Sequence, residues 1–279
     1  MATETSRLPI LDHLVVLVPY HELQELPKRL ESSLIVVEGG SHSDGLTLNK
    51  LIILPDGTYI ELIAFRDNID PERRKKHMWG TLKECQISDW AYTLQDEKEF
   101  AQVQDCIKAE SSAQVTYQEP IPNGRLRPDG VELKWALSSA QDASLCPLWP
   151  GMAPFWCLDR TPRHLRVPYR EEISTAAPFT KHPSGAYGIS QVFVSVPQTD
   201  FLALSQVYEG VHGPAIESDP ARKVWSWINH AGSDRGKQKV ILTASSSQER
   251  HIGLTLVGDQ DSPHSIQILE GLAFDFDVE

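Results

Sequence analysis

The sequence predicts an α+β protein built from repeated modules with the order βαβββ. Three observations lead to this fold class. Apolar, β-branched segments begin at residues 10, 87 and 189, and each is followed by a segment with the periodicity of an amphipathic helix. After the first two helices come short strand-like segments separated by turn residues. Two such modules, placed side by side, can curl their strands into one cup.

The first module is expected to occupy residues 8–66. Its opening segment, residues 10–19, is too short to span a membrane and is typical of a buried strand. Pro27 weakens the helical pattern that follows, so a short helix is expected. Pro-Asp-Gly at 55–57 predicts a hairpin turn, because proline presets the first turn residue and glycine accepts a positive φ. The remaining predicted strands cover residues 33–38, 46–54 and 58–65.

The second module is expected at residues 87–160, after a charged connector at 67–83 that predicts a solvated surface. Its helix is predicted at 97–110, with the apolar residues on one stripe. Its later strands are predicted near residues 114–117, 131–137 and 153–158. The second module therefore keeps the order of the first.

The remainder of the chain divides into a loop and a third module. Residues 161–186 contain four prolines and no periodicity, which predicts a linker or a wrapping loop. Residues 187–279 match the βαβββ order only in part, with a helix near 200–211 and a hairpin turn near 232–236. We therefore expect one domain of two modules at 8–186, followed by the partial third module.

Composition and charge limit the function classes. The chain has 279 residues, of which 41% are hydrophobic and 23% are charged, as in ordinary soluble globular proteins. A formal charge of −12 argues against nucleic acid or an acidic membrane as the partner. No secretory signal is evident and the four cysteines show no CxxC spacing, so a cytoplasmic location is expected. The expected partner is a small molecule, and a homodimer stays open.

One repeated position carries candidate metal ligands. His13, Asp89 and Gln191 occupy the same position in the opening strands of the three modules. Glu61 is a single carboxylate among apolar neighbours in the last strand of the first module, where a buried acid needs a partner. If these strands share one cup, His13, Glu61 and Asp89 converge as a facial site for a divalent metal. Fe, Mn, Zn, Ni and Mg all stay open, as does a site without metal.

Each of these residues also has a structural interpretation. His13 can be a core histidine whose hydrogen bonds are satisfied, and Asp89 can cap a turn. Glu61 can pair with an arginine such as Arg66 or Arg125. The residues alone leave both sets of interpretations open.

Further candidates would bind or convert a substrate. His42 lies in the polar loop GGSHSDG, and imidazole is the side chain suited to acid–base catalysis near neutral pH. Asn49 follows in the next strand, and His182 opens the segment His-Pro-Ser-Gly. An aromatic pocket wall is predicted from Trp79, Trp90 and Trp156. The alternatives are a simple turn for His42, an ordering role for His182 and core packing for the tryptophans.

Several blocks of the chain resemble one protein family. They are LDHLVVLVP at residues 11–19, EGGSHSDGLTLNKLIILPDGTYIELIAF at residues 38–65, Asp89-Trp90 and His182-Pro183-Ser184-Gly185-Ala186. With these blocks in this order, the sequence resembles the glyoxalase-like domain family of the vicinal oxygen chelate superfamily, which includes glyoxalase I and the extradiol dioxygenases. The resemblance implies paired βαβββ modules around a U-shaped open sheet cavity, and a metal that chelates two substrate oxygens. It maps metal ligands to His13, Glu61 and Asp89. Phe155 and Trp156, where a fourth ligand would lie, cannot bind a metal.

Residues and resemblance together predict a small-molecule enzyme, a lyase, isomerase or oxygenase. A metal held by His13, Glu61 and Asp89 would stabilise an enolate-like intermediate. His42 and Glu61 would be the catalytic groups, with His42 moving the proton. The alternative is a metal-free protein that binds or sequesters an apolar or aromatic compound in the same cavity. An interaction module that dimerises through its third copy would explain neither His13 nor Glu61.

Overall fold

The computed structural model of the protein describes residues 9–42, 44–112, 114–127, 130–169, 179–230 and 238–278. These residues form two large β-sheets with helices packed on their faces, which confirms the predicted α+β fold of repeated modules. In the described ranges no helix is both long enough and apolar enough to cross a membrane. The hairpin turn predicted near residues 232–236 falls on residues outside these ranges.

The first module follows the predicted order of elements. They are β1 (Ile10–Leu17), α1 (Tyr20–Arg29), β2 (Val37–Ser41), β3 (Thr47–Ile53) and β4 (Tyr59–Phe65). Helix α1 buries Leu23 and Leu26 on one face and continues through Pro27. In the turn between β3 and β4, Asp56 accepts hydrogen bonds from the backbone N–H and the hydroxyl of Thr58, at 2.9 and 2.6 Å. These bonds fix the hairpin that brings β4 beside β3.

The second module repeats this order with additions. A short helix of the connector, α2 (Pro71–Lys75), precedes β5 (Gln86–Thr93), a single 3-10 turn (Glu97–Glu99) and α3 (Phe100–Glu110). The later strands are β6 (Val115–Tyr117), β7 (Ile121–Leu126), β8 (Glu132–Ser138), β9 (Ala140–Asp142) and β10 (Phe155–Asp159). Strands β6 and β9 pair only with each other, whereas β7, β8 and β10 join β5 in the main sheet. A short helix, α4 (Arg163–Arg166), follows β10.

The two modules share one eight-stranded sheet with the order β2-β3-β4-β1-β5-β10-β8-β7. The two opening strands, β1 and β5, pair antiparallel at its centre, so the modules flank a common middle. The sheet curls so strongly that its outer strands approach each other. A Cβ atom added to Gly40 in β2 would lie 3.1 Å from Nη1 of Arg125 in β7. The curled sheet therefore encloses a concave face between the two modules.

The C-terminal region forms a second, seven-stranded sheet with a complete βαβββ order. Its first elements are β11 (Gly188–Pro197), α5 (Gln198–His212), β12 (Glu217–Asp219), β13 (Arg222–Ser226) and β14 (Lys239–Ser245). Three more strands follow without a helix: β15 (His251–Gly258), β16 (Ser265–Leu269) and β17 (Leu272–Val278). The strand order β12-β13-β14-β11-β15-β17-β16 repeats the arrangement of the first sheet around its own central pair. The division into domains at residues 8–186 and 187–279 stays a prediction.

Helices α3 and α5 pack against each other and link the two sheets. Buried residues of both sheets and of α1, α3 and α5 belong to one continuous core cluster. The contact between α3 and α5 is close at Gly210, where a Cβ atom would lie only 2.6 Å from the Cα atom of Ile107. The absence of a side chain at Gly210 therefore permits this helix spacing.

We expect Gly210→Ala to lower the free energy of unfolding by about 1–3 kcal/mol, because the added methyl group meets backbone that cannot move without separating the helices. Urea unfolding followed by circular dichroism measures this change. Leu202→Ala is the matched control in the same helix, since Leu202 is 68% exposed and its loss should change stability by under about 0.5 kcal/mol. Equal stability of the Gly210 variant and the wild type would contradict this account of the helix contact.

Candidate active site

Side-chain alternation puts two of the predicted residues on the same face of the first sheet. In β1, Leu14 and Val16 join the core behind the sheet, so His13 and Val15 point to its concave side. The neighbouring strand β4 runs parallel to β1 and pairs Glu61 with Val15. Glu61 therefore lies two residues along from His13, on the adjacent strand and on the same face.

The concave face forms a cavity that, with its open mouth, encloses about 880 Å³. Besides His13 and Glu61, the polar lining includes His42, Asn49, His77 and Arg125, and the aromatic lining includes Tyr59, Trp79, Trp135 and Phe155. A largely apolar wall with a few converging polar groups is typical of small-molecule sites.

Glu61 is at the centre of the polar lining. Its Oε2 atom lies 3.6 Å from Nε2 of His13, and its Oε1 atom lies 3.4 Å from Nε2 of His42. The amide nitrogen of Asn49 donates a hydrogen bond to Oε1. Burial alone would raise the pKa of Glu61, but the hydrogen bond and charge of His42, the charge of His13 and the Asn49 amide outweigh it and lower the pKa to about 2. Glu61 is therefore an anion that contacts two imidazoles through its two oxygens.

His42 approaches Glu61 from the loop between β2 and β3. Its Nδ1 atom lies 2.6 Å from the hydroxyl oxygen of Thr47, which fixes the ring so that Nε2 points at Glu61. Burial alone would lower the pKa of His42, but the hydrogen bond and charge of Glu61, with a smaller effect of Asp44, raise it above the ordinary histidine value. The protonated form of His42 therefore persists to higher pH than in an ordinary histidine, which suits it to act as an acid.

Asp12 orients the imidazole of His13. Its Oδ1 atom lies 2.5 Å from Nδ1 of His13. Burial would raise the pKa of Asp12, but Arg163 and Arg166 outweigh this effect and hold the pKa well below its ordinary range. An ionised carboxylate only accepts hydrogen bonds, so Nδ1 of His13 carries a proton and Nε2 is the atom that faces Glu61. A histidine held in this way can take or give a proton at Nε2.

A buried ionic network supports Asp12. Arg166 donates to both oxygens of Asp12, at 3.1 and 2.8 Å, and to both oxygens of Asp159, at 2.7 and 2.9 Å. It also donates to the hydroxyl oxygen of Tyr59 at 2.9 Å. The ring of Tyr59 in turn stacks on the imidazole of His13, with 4.6 Å between ring centres. Helix α4 thus fixes the position of His13 from behind the cavity wall.

The structure does not bring Asp89 to the other two predicted ligands. Its Oδ2 atom accepts a hydrogen bond from Nε1 of Trp79 at 2.9 Å, and its Oδ1 atom accepts from the backbone N–H groups of Trp90 and Gly151, at 2.9 and 3.0 Å. Trp79 lines the cavity, whereas Asp89 does not. Burial raises the pKa of Asp89 to about 7 in spite of these hydrogen bonds.

The strand registers show which residues of the second module occupy the positions of His13 and Glu61. Val15 pairs with Glu61 between β1 and β4, and Ala91 pairs with Phe155 between β5 and β10. Phe155 thus holds the position in the second module that Glu61 holds in the first. Asp89 lies two residues before Ala91, at the position that corresponds to the histidine of the first module. The repeat is preserved in the backbone, while its second half supplies an aromatic wall.

The predicted ligand set does not fit a metal centre with three or four protein ligands. Among the residues that the structure describes, no group of three or more His, Cys, Asp or Glu side chains is placed to hold a metal ion. His13 and Glu61 meet, but both oxygens of Asp89 already accept N–H hydrogen bonds. Catalytic metal sites typically use three protein ligands and leave positions open for substrate. Asp89 is thus held apart from His13 and Glu61 by its hydrogen bonds, and its role as a metal ligand stays a prediction.

Three predicted substrate contacts lie away from the cavity. Trp90 and Trp156 are fully buried in the core behind the sheet. Beside Trp156, Phe155 and Cys157 face the cavity instead. Nδ1 of His182 accepts a hydrogen bond from the backbone N–H of Ile35, and its Nε2 atom donates to the carbonyl oxygen of Ile53, both at 3.0 Å. His182 therefore joins two segments of the first module. The structure places these three predicted residues outside the cavity lining, whereas Asn49 and Trp79 line the cavity.

Several residues of the site were not singled out from the sequence. The connector, predicted as a solvated surface, contributes His77 and Met78 to the cavity beside the predicted Trp79. A signal was available for Asp12, because it is a second ionisable residue in an otherwise apolar strand. Arg125, named from the sequence only as a possible partner of Glu61, reaches the cavity from β7.

Comparison with known proteins gives a family match and several structural likenesses. Residues 11–208 match the family model described as a glyoxalase-like domain. Comparison with curated proteins gives no match. A hypothetical protein from Staphylococcus aureus has a similar structure, with a TM-score of 0.66 and 16% sequence identity over 97% of this chain and 99% of that one. At this identity the likeness concerns the fold alone.

Two further solved structures are more distant. The Mn(II)-bound glyoxalase from Novosphingobium aromaticivorans has a TM-score of 0.47 and 9% identity, over 91% of this chain and 66% of that one. The 2,2',3-trihydroxybiphenyl 1,2-dioxygenase from Sphingomonas wittichii strain RW1 has a TM-score of 0.43 and 11% identity, over 91% of this chain and 74% of that one. We draw no conclusion about the site from likenesses of this size. The family match covers more than half of the chain, and the chain belongs to the glyoxalase-like domain family.

Proposed function

We propose that the protein is an enzyme that moves a proton on a small carbonyl compound, in the manner of an isomerase or a lyase. One observation carries the proposal: the carboxylate of Glu61 contacts His13 through one oxygen and His42 through the other, at the centre of the cavity. Two imidazoles joined by one carboxylate can deliver a proton at one atom of a substrate and remove one at another.

The proposed step begins with neutral His13, whose proton is on Nδ1 beside Asp12, and with protonated His42. Nε2 of His13 takes a proton from the carbon next to the carbonyl group, and the electron pair of that C–H bond forms a C=C bond. The carbonyl oxygen receives the electrons of its π bond and takes the Nε2 proton of His42, which gives an enol. Protonated His13 and neutral His42 remain, and Glu61 between them returns the proton from the first to the second.

Glu61 acts in this scheme as the orienting and relaying group. Its pKa of about 2 makes the carboxylate a weak base toward carbon, so we assign the removal of the proton to His13. Asn49 holds the carboxylate in place through its amide hydrogen bond. The metal that the family resemblance implies has no role in this scheme, because Asp89 is held away from His13 and Glu61.

Hydrogen–deuterium exchange in D₂O tests the proposal. The probes are 4-phenyl-2-butanone and 2-oxo-4-phenylbutanoate, and proton NMR follows loss of the hydrogens next to the ketone. We expect the wild type to accelerate exchange in at least one probe, and His42→Gln to reduce that acceleration by about a hundredfold or more. His21→Gln is the control, since the His21 side chain is 77% exposed. Exchange no faster than in buffer, or equal exchange by the His42 variant, would overturn the proposal.

The remaining expectations stay predictions. A protein that only binds a small molecule would show saturable binding without any accelerated exchange, so the same experiment separates this alternative from the enzyme. The cytoplasmic location, the homodimer and the oxygenase reaction are not tested by the arrangement of His13, His42 and Glu61. An enolisable small molecule is the substrate class that this arrangement favours.

A further inference from the structure

We propose that Arg125 binds the carboxylate of the substrate. The preferred ligands are then carboxylic acids that carry a single aromatic ring. This inference rests on the proposed function because it concerns the same cavity. It adds a chemical class of ligand and names a residue that determines specificity.

Arg125 lies in β7, an outer strand of the curled sheet, and lines the cavity. Asn123 and Arg125 alternate with Gly124 in β7, and both line the cavity. Asn123 pairs with Trp135 of β8, which lines the cavity as well. The long side chain reaches across to β2, where its Nη1 atom lies against Gly40. The guanidinium group therefore spans the gap between the two outer strands of the curled sheet.

The guanidinium group of Arg125 has no ion-pair partner among the described residues. Nη1 of Arg125 is buried and makes no hydrogen bond to the described residues. No carboxylate of the described residues lies within ion-pair distance of Arg125, whereas the half-buried Arg163 and the buried Arg166 both have such partners. Burial lowers the pKa of Arg125, while the charge of Glu61 acts in the opposite direction. A guanidinium group stays protonated in proteins, so an unpaired charge is left at the cavity wall.

An enclosed donor without a partner carries a desolvation cost that a bound anion would offset. Arginine also presents two parallel N–H groups, which match the two oxygens of a carboxylate. A phosphate dianion would bring a second negative charge close to Glu61 and Asp44, both of which line the cavity. A carboxylate is therefore the anion that suits this cavity.

Four aromatic side chains form much of the cavity wall. Tyr59, Trp79, Trp135 and Phe155 surround the polar centre with ring faces and edges. Such side chains favour a flat, apolar ligand body. A ligand whose ring lies against this wall can place its carboxylate at Arg125 and its carbonyl group near Glu61.

Isothermal titration calorimetry with phenylacetate and phenylacetamide tests the inference. The two compounds have nearly the same shape, but only the first carries a charge, and neither needs to react. We expect the wild type to bind phenylacetate about tenfold or more tightly than phenylacetamide. Arg125→Gln should weaken phenylacetate binding by about tenfold or more and remove the preference. Arg160→Gln is the control, because Arg160 forms an ion pair with Glu97 at the surface and should leave both affinities unchanged.

Arg125→Lys provides a second variant if the glutamine variant does not fold. It keeps the charge without the paired N–H groups, so it should retain a reduced preference for phenylacetate. Equal binding of the two compounds by the wild type, no binding of phenylacetate, or an unchanged preference in the folded Arg125 variants would overturn the inference. Proton exchange does not enter these measurements, so the failure of this inference and of the proposed reaction can be told apart.

Discussion

Replacing Arg166 with methionine is expected to lower the free energy of unfolding by about 3–5 kcal/mol, the largest stability effect of any single change considered. Arg166 is 6% exposed and satisfies four carboxylate hydrogen bonds at once. Its loss leaves Asp12 and Asp159 with fewer positive partners inside the protein. Because Asp12 holds the proton on Nδ1 of His13, the variant should also disturb the cavity.

Urea unfolding of Arg166→Met measures the stability change, with Arg160→Met as the matched control. Arg160 forms an ion pair of similar geometry with Glu97, but at the surface, so its loss should cost less than about 1 kcal/mol. Arg166→Lys should lie between the wild type and the methionine variant, because lysine restores charge without the planar fork. Similar stabilities for Arg166→Met and Arg160→Met would show that the buried network contributes little.

Replacing Glu61 with glutamine is expected to reduce the acceleration of deuterium exchange by about a hundredfold to ten-thousandfold. Glutamine has nearly the shape of glutamate, but its amide nitrogen can only donate, and it carries no charge. The amide N–H group of the glutamine would then face one imidazole. Because an amide cannot take up the proton, its transfer from His13 to His42 would stop. Glu97→Gln is the matched control, since Glu97 pairs with Arg160 outside the cavity.

The pKa shifts of His42 and Glu61 determine how this pair makes the free energy of unfolding depend on pH. The pKa of Glu61 is lowered to about 2 from 4.5, so the stabilisation that this carboxylate provides is fully present above pH 4.5 and is lost as pH falls through about 2. The pKa of His42 is raised, so its contribution is fully present below 6.5 and is lost as pH rises through the raised value. In Glu61→Gln both contributions should vanish.

The sequence predicts those parts of the site that depend on one strand. A histidine near the start of β1 and a glutamate inside β4 each interrupt an apolar strand, and both face the cavity. The alternation of side chains along a strand also explains why Trp90 and Trp156 do not line the cavity. If Asp89 faces the concave side, Trp90 must face the core, and the same holds for Phe155 and Trp156. Both tryptophans lie in the core on the opposite side of the sheet.

The rest depends on contacts between residues far apart in the chain. Trp79 comes from the connector and donates a hydrogen bond to Asp89. Arg166 and Arg125 reach the site from α4 and β7, and their positions follow from the curl of the sheet. Sequence periodicity gives the face of a strand but not the curvature of a sheet, so these contacts require the folded structure.

The most direct test of the account is an NMR titration of the His13 and His42 imidazoles in the wild type and in Glu61→Gln. We expect the pKa of His42 to lie above the ordinary histidine value in the wild type and to fall below it in the variant, where the hydrogen bond and charge of Glu61 are lost and burial outweighs the charge of Asp44. We also expect that the signals of both histidines respond to the substitution, while those of the exposed His21 do not. A pKa of His42 that is the same in both proteins, or a His13 signal that ignores the change at Glu61, would contradict the claim that one carboxylate couples the two histidines.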